Sequence, residues 1–225
     1  MTIHAPLFIV LLPVSAALLC MLFSRIQKNL GSWIVIASIV GAFLSAVTSL
    51  QRVIADGGKP IHYWMGNWQP PLGIEFVIDP ISGALAVLIT FISLLGAIYS
   101  LPFVKEEGWL HIGGYYTLYG LMTVGMCGMV ITGDVFNLYV FLEVMSLSGY
   151  GLIAIGGKKS MLAAFRYLLI GTIGASLYLL GVGYMYALTG TLNMADMAVR
   201  AAEFLNYPLF ALALACFVVG FGIKM

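Results

Sequence analysis

Residues 133–157 have the sequence GDVFNLYVFLEVMSLSGYGLIAIGG, an almost wholly apolar stretch with Asp134 at its start and a second carboxylate, Glu143, close to its middle. A helix needs about 20 residues to cross the roughly 30 Å hydrocarbon layer of a bilayer, and this stretch is long enough. It lacks the alternation of apolar and polar residues that is typical of strands in membrane barrels. The stretch therefore predicts a membrane-spanning helix that carries an acid.

The composition of the whole chain also indicates a membrane protein. Of its 225 residues, 62% are hydrophobic and only 8% are charged, whereas about a quarter of the residues in a soluble domain are charged. The net charge of +1 argues against a nucleic-acid partner. The three cysteines lie inside apolar runs without metal-ligand spacing, so we interpret them as small buried apolar side chains and predict no metal site.

Further apolar runs of similar length predict the fold class: an all-α integral membrane protein, a polytopic bundle of about seven transmembrane helices forming a single domain over residues 1–225. Between the second and third runs, residues 51–79 contain aromatic residues, a Gly66–Asn67 turn and Pro70–Pro71, which favour a short outer hairpin. Residues 193–205 are expected to form an outer amphipathic helix. The predicted spans lie near residues 6–23, 30–50, 80–101, 115–132, 135–154, 161–188 and 209–225.

The placement of lysine and arginine predicts the orientation. The loops after the odd-numbered spans carry Arg25, Lys28, Lys105, Lys158 and Lys159. The loops after the even-numbered spans carry fewer basic residues and most of the acids. Because cytoplasmic loops are enriched in basic residues, the odd loops are expected in the cytoplasm and the N-terminus outside.

Glu143 is the first candidate for a functional residue. It follows Asp134 by nine residues, which places it about 13 Å along the fifth helix. A charge near mid-membrane costs at least about 2.5–3.5 kcal/mol, and such acids face a bundle interior or a hydrated cavity and often mark ion paths. The alternative is a structural carboxylic acid, held neutral by a hydrogen bond.

Four other residues are weaker candidates when judged from the sequence alone. Lys224 ends a 17-residue apolar run, about 26 Å of helix, and is either buried or a cytoplasmic anchor that snorkels to the surface. Arg166, near the start of the sixth helix, suits a positive-inside anchor. Tyr139 lies one turn before Glu143 on the same face and could hydrogen-bond a neighbour. Asp134 is favoured as a helix cap.

Four motifs resemble a known family. They are GIEFVIDPISG at residues 73–83, GDVFNLYVFLEVMSLSGYGL at 133–152, AAFRYLLIGTIGASLYLLGVGYMYALTGTLNMADMA at 163–198 and GFGIK at 220–224. The chain resembles the antiporter-like proton-translocating subunits of respiratory NADH dehydrogenase (complex I), membrane-bound hydrogenases and Mrp-type cation/proton antiporters, the D-type Mrp subunit above all. The resemblance covers only the first half of a fold built from inverted repeats, an arrangement typical of transporters.

The resemblance implies roles for these residues. Glu143 and Lys224 would form a buried acid–lysine pair in a hydrated half-channel, which favours a buried Lys224 over an anchor. Arg166 stands where the family often has lysine, and an arginine scarcely deprotonates. Tyr139 and Asp134 remain accessory candidates.

The same resemblance implies proton or cation/proton translocation in the inner (plasma) membrane, within a complex of other membrane subunits. Protons, and Na⁺ as an alternative, would be the ions carried, and a further chain would supply the second half of the fold. No cofactor site and no enzyme motif are visible, so the chain is not expected to be an enzyme by itself, although its complex could be an oxidoreductase. Two alternatives stay open: a non-conducting membrane scaffold, and a split half that needs a second polypeptide.

Overall fold

The computed structural model describes residues 4–27, 29–104 and 109–224, without the side chains of residues 109 and 110. Over this part of the chain, six helices are long and apolar enough to cross a membrane, and a seventh apolar helix is shorter. These observations agree with the predicted all-α membrane bundle of about seven helices. The helices are α1 Ala5–Ile26, α2 Leu30–Ala55, α3 Pro80–Val104, α4 Trp109–Ile131, α5 Val135–Ala154, α6 Lys158–Thr189, the short α7 Met194–Ala201 and α8 Pro208–Lys224.

Several helix ends differ from the ranges expected from the sequence. Residues 51–55 continue α2 rather than starting a loop, and Thr132 lies beyond the end of α4. Because α6 begins at Lys158, Lys158 and Lys159 are in its first turn and not in a loop. The apolar run shows which part of a helix can lie in lipid. The helix itself can be longer, because its backbone hydrogen bonds continue into the polar residues on either side. Of the residues used for the predictions, Lys28, Lys105 and Met225 lie outside the described part.

A two-stranded antiparallel hairpin connects α2 to α3. Strand β1 (Ile61–Trp64) pairs with β2 (Glu75–Ile78), so that Ile61 lies opposite Ile78 and Trp64 opposite Glu75. Gly66 and Asn67 both adopt positive φ, 63° and 64°, in the turn that directly follows β1. They therefore begin a longer connection between the strands instead of forming a two-residue hairpin turn.

The hairpin is tied to two connections that are distant in sequence. The Gly133 N–H donates to the Glu75 carbonyl at 3.0 Å, and the Met194 N–H donates to the Gly133 carbonyl at 2.9 Å. The first residue of the described part, His4, contacts the Tyr63 hydroxyl at 3.0 Å, so α1 starts at this end as well. We call the hairpin, residues 132–134 and residues 191–193 together the hairpin end of the bundle.

Side-chain caps fix the helices that start at the hairpin end. The Asp79 carboxylate accepts from the Ser82 N–H at 2.6 Å, and the Ser82 hydroxyl accepts from the Asp79 N–H at 2.8 Å, immediately before the proline that opens α3. Asn193 caps α7 by accepting from the Asp196 N–H at 3.1 Å. The expected outer helix over 193–205 is thus the shorter α7, followed by a 3₁₀ turn, Ala202–Phe204.

The helices pack in two groups. Helices α1 to α4 pack on one another, and α5 joins them through α4. On its other side α5 packs against α6, and α6 packs closely against α8. A buried cluster that includes Tyr178, Met185 and Ala213 fills the space between α5, α6, α7 and α8. The charged candidates Glu143 and Lys224 belong to this second group.

Candidate functional site

Glu143 and Lys224 form an ion pair between α5 and α8. The Lys224 Nζ donates to Glu143 Oε1 at 2.8 Å and to Ser146 Oγ at 2.9 Å. The Lys224 side chain is 10% exposed and that of Glu143 is 24% exposed. Hydrogen bonds of this kind, in which both partners are charged, are the stronger ones in proteins. The two residues are thus held together by a mostly buried, charge-assisted contact.

A close contact between α6 and α8 brings Lys224 within reach of α5. A Cβ added to Gly220 would lie 2.8 Å from the backbone nitrogen of Tyr178 and 2.9 Å from the carbonyl oxygen of Gly174. Small residues allow membrane helices to approach closely, and here even a Cβ atom on α8 would meet the backbone of α6. Lys224 follows Gly220 by four residues and therefore lies on the same face of α8. The glycine contact consequently positions the lysine.

A cavity of about 360 Å³ lies beside the pair. Its polar lining comes from Lys224, Ser146 and Tyr167. Methionine side chains are flexible and adapt to irregular spaces, and four of them line the apolar part. The volume is sufficient for several water molecules, so the ammonium group borders a space that water can enter. The methionines are Met122, Met126, Met129 and Met145.

Ser146 is a site residue that the sequence analysis missed. Its hydroxyl accepts the second hydrogen bond of Lys224, and it is buried. Ser146 follows Glu143 by three residues, which places both on one face of α5. That spacing was the available signal, but small hydroxyl residues are common in membrane helices and the spacing alone is weak.

Asp134 belongs to the hairpin end, and Tyr139 lies on α5 between it and Glu143. The Tyr139 ring stacks on Tyr178 with centroids 6.4 Å apart, and within the described residues Tyr139 makes no hydrogen bond to Glu143, whose carboxylate accepts from Lys224. Asp134 caps α5 by accepting from the Asn137 N–H at 2.6 Å. Burial raises the pKa of Asp134, and hydrogen bonds from the Asn137 and Phe136 amides oppose that rise.

Within the described residues, Arg166 makes no hydrogen bond or ion pair with Glu143 or Lys224. It is the ninth residue of α6, further into the helix than the sequence indicated, and its side chain is exposed. Within the described part of the chain, the only ion pair of Glu143 is with Lys224. No group of three or more histidine, cysteine, aspartate and glutamate residues in that part is arranged to hold a metal ion.

Glu75 is a buried acid on the hairpin, and it lies in the segment 51–79 where the sequence predicts only an outer hairpin. Its side chain is 7% exposed. Oε1 accepts from the Asn193 amide at 2.6 Å, and Oε2 lies 3.3 Å from Nδ1 of His62. Strand alternation puts Glu75 and Val77 on one face of β2 and the core residues Phe76 and Ile78 on the other. Without knowledge of the segment that covers this face, the sequence could not indicate burial.

Comparison with known proteins gives a consistent set of relatives. Residues 132–225 match the family model described as NADH:quinone oxidoreductase/Mrp antiporter, TM. The chain is 44% identical, over all of its 225 residues, to the N-type subunit of NADH-quinone oxidoreductase from Desulforudis audaxviator, of which it covers 45%. It is 31% identical over 216 residues to the D-type subunit of the Na(+)/H(+) antiporter from Bacillus subtilis, covering 96% of this chain and 43% of that protein.

The fold has a solved counterpart. A protein in the structure of the membrane-bound sulfane sulfur reductase (MBS), an archaeal respiratory membrane complex, superimposes with a TM-score of 0.89 at 31% identity, covering 96% of this chain and 44% of that one. This likeness confirms the predicted fold class. The chain spans about half the length of the relatives it matches.

These similarities confirm the family suggested by the four sequence motifs. The long apolar helices and the membrane-subunit relatives also identify a multi-pass protein of the plasma membrane. The chain belongs to the family of antiporter-like membrane subunits found in NADH:quinone oxidoreductases and Mrp antiporters, and it corresponds to the N-terminal half of those subunits.

Proposed function

We propose that the chain is part of an antiporter-like subunit that moves protons, or exchanges a cation for protons, across the membrane. The Glu143–Lys224 pair is the switching element in this proposal. The observation that supports it is the 2.8 Å contact of an acid with a base, both largely buried, on helices of an apolar bundle. Buried ionisable groups in membrane helices commonly mark ion paths.

The energy needed to separate the buried pair is similar to the energy needed to move one charge across the membrane. Removing one partner of a buried pair costs about 3–5 kcal/mol, because the other charge is left uncompensated. Moving one charge against 100 mV takes about 2.3 kcal/mol. Because these values are comparable, opening and closing the pair can be linked to the movement of one ion.

The mechanism follows from the two arrangements of the pair. In contact, Glu143 and Lys224 both carry their charges and neutralise each other. When they separate, the lysine is left beside the cavity lined by Ser146 and releases its proton to water there, since an unpaired buried charge is unfavourable. The glutamate then accepts a proton from another side or pairs with another cation, and renewed contact resets the site.

The energy for directional transport has to come from partners. We place the chain among other membrane proteins of one complex, with the second half of the fold supplied by a further segment or chain, and with the N-terminus on the outer side of the membrane. A redox partner or an opposing Na⁺ gradient would supply the driving force. The chain itself is proposed to be a non-enzymatic subunit, and its relatives named above are subunits of both kinds of assembly.

The test uses Glu143→Gln in the assembled complex, reconstituted in proteoliposomes. We expect proton transfer to be lost while the complex still assembles, because glutamine keeps the shape of the side chain but cannot carry a proton. Glu203→Gln, at an exposed glutamate, is the matched control and should transport normally. Normal transport by Glu143→Gln would remove the carboxylate from the path, and normal transport by Lys224→Ala as well would favour a non-conducting scaffold.

A further inference from the structure

The hairpin end contains a buried acid that the mechanism above does not use. Glu75 lies 3.3 Å from His62, whose side chain is 49% exposed, while its own side chain is only 7% exposed. The pair thus connects a partly solvent-exposed imidazole to a buried carboxylate. An imidazole can both accept and donate a proton through its two ring nitrogens, which suits it to exchange protons with water.

A cavity of about 260 Å³ opens beside this pair. Its polar lining includes Asp79, Ser82 and Thr132 together with His62 and Glu75. The Thr132 hydroxyl accepts from the Asn137 side-chain amide at 3.0 Å. Asn137 belongs to α5, the helix that carries Glu143 about 9 Å further along its axis. The cavity wall is therefore hydrogen-bonded to the helix of the central acid.

We propose that His62 and Glu75 form a proton-exchange site, through which protons enter or leave the hairpin end of the protein. This inference rests on the proposed function, and it assigns the point at which the proton path meets water on that side. The geometry that carries it is a partly exposed histidine, a buried carboxylate beside it and a cavity lined by both, whose wall is hydrogen-bonded to α5 through Thr132.

The proton balance of the exchange is simple. Water delivers a proton to Nε2 of the neutral imidazole, and an imidazolium forms. Its Nδ1 proton then passes to Oε2 of Glu75, which leaves a neutral imidazole with its proton on Nε2 and a neutral carboxylic acid. Proton exchange between the imidazole and solvent water restores the Nδ1–H tautomer before the next cycle. The carboxylic acid gives the proton to water in the cavity and becomes a carboxylate again. One proton enters and one leaves, and the reverse sequence releases a proton outward.

The other charged groups near the cavity are already engaged in helix caps or an ion pair, so we do not assign the proton exchange to them. Asp79 borders the cavity, but its carboxylate caps α3 by binding the Ser82 amide. Asp134, on the α4–α5 connection, caps α5 through Asn137. On α7, Asp196 is paired with Arg200 at 2.9 Å. Glu75 is the acid that contacts a histidine within the described part of the chain.

The test measures proton transfer by the assembled complex in proteoliposomes while the pH on the hairpin side is varied between about pH 5 and 8. For the wild-type complex we expect a rate that changes with this pH. His62→Gln should flatten the dependence and slow transfer about tenfold, and Glu75→Gln should slow it roughly 10²-fold, a typical loss for a missing proton donor or acceptor. His111→Gln, at an exposed histidine outside the hairpin end, is the control and should behave as wild type.

The outcomes separate the two proposals. A wild-type pH profile in His62→Gln overturns the exchange site, even where Glu75→Gln fails to assemble because Glu75 also binds Asn193. Glu143→Gln is measured in the same assay. If Glu143→Gln is inactive and His62→Gln is unaffected, only the exchange site is rejected; if Glu143→Gln is active, the proposed function itself is rejected.

Discussion

Gly220 of α8 touches Gly174 of α6 so closely that a Cβ on Gly220 would lie 2.9 Å from the Gly174 carbonyl oxygen. The atoms that a side chain would meet here belong to the backbone and cannot rotate away. One turn further along α8, Lys224 reaches Glu143 on α5. The separation of the two helix axes and the contact between the two charges are therefore linked.

Gly220→Ala tests this link. The added methyl group should push α8 away from α6, lengthen the Lys224–Glu143 contact and cost about 1–3 kcal/mol in stability through overpacking. Proton transfer in proteoliposomes and the midpoint of thermal unfolding should both fall. Gly222→Ala is the matched control on the same helix, because a Cβ at Gly222 meets nothing within 4 Å. Equal behaviour of the two variants would contradict the link.

A double-mutant cycle on the ion pair measures its coupling. Glu143→Gln and Lys224→Met should each lower the stability of the solubilised complex, by about 3–5 kcal/mol, since each leaves a buried charge without its partner. The double variant should lose less than the sum of the two, with a coupling of about 1–3 kcal/mol. Strict additivity in thermal unfolding would show that the two side chains do not interact in the protein.

Gly133 holds the hairpin against the α4–α5 connection. A Cβ at Gly133 would lie 2.8 Å from Cγ2 of Val77 and 3.0 Å from Cγ of Glu75. Gly133→Ala should therefore displace the hairpin and destabilise the protein by about 1–3 kcal/mol. Gly114→Ala, where a Cβ meets nothing within 4 Å, should cause no loss. Proteolysis of the hairpin and thermal unfolding provide the readouts, and an intact hairpin in Gly133→Ala would refute the expectation.

The stability that the Asp79 cap gives to the start of α3 is expected to depend on pH. A hydrogen bond from the Ser82 amide holds the pKa of Asp79 below its ordinary value. A carboxyl group with a lowered pKa in the folded state stabilises the protein above its unfolded pKa of about 3.9, and this stabilisation is lost as the pH falls through the folded value. The ionised cap is thus fully effective at neutral pH.

The variant Asp79→Asn keeps a capping oxygen but cannot ionise. We expect the thermal midpoint of the wild type to exceed that of Asp79→Asn at neutral pH and to approach it as the pH is lowered from about 5 toward 3. Asp79→Ala should lose about 1 kcal/mol at neutral pH through the missing cap. A constant difference between wild type and Asp79→Asn at all pH values would argue against an ionised cap.

The fold class could be predicted because membrane helices are encoded by local composition. A run of about 20 apolar residues indicates a membrane-spanning helix, and each run can be recognised in the sequence without knowing which other helices it contacts. The burial of Glu75 could not be predicted in this way, because the segments that cover it, at Gly133 and Asn193, lie roughly 60 and 120 residues away. Patterns in a sequence assign faces of elements, but they do not say which elements meet.

The ion pair shows the same limit. The depth of Glu143 in the membrane was enough to make it a candidate functional residue. Lys224 could equally have been a cytoplasmic anchor, and only the family resemblance predicted that the two residues form a pair. The contact at 2.8 Å gives the pair a geometry, and its role in transport stays a prediction. Ser146, which completes the contacts of the lysine, was missed because a serine in a membrane helix carries little information by itself.

The backbone pairing of residues 132–134 with the hairpin on one side and with residues 191–193 on the other has a mechanical consequence. Backbone hydrogen bonds join three segments that are distant in the sequence, and all of these bonds lie at one end of the bundle. Tilting of α5 relative to α6 and α8 would therefore pivot about that end. The largest displacements are expected at the far ends of these helices, where Lys158 and Lys224 lie.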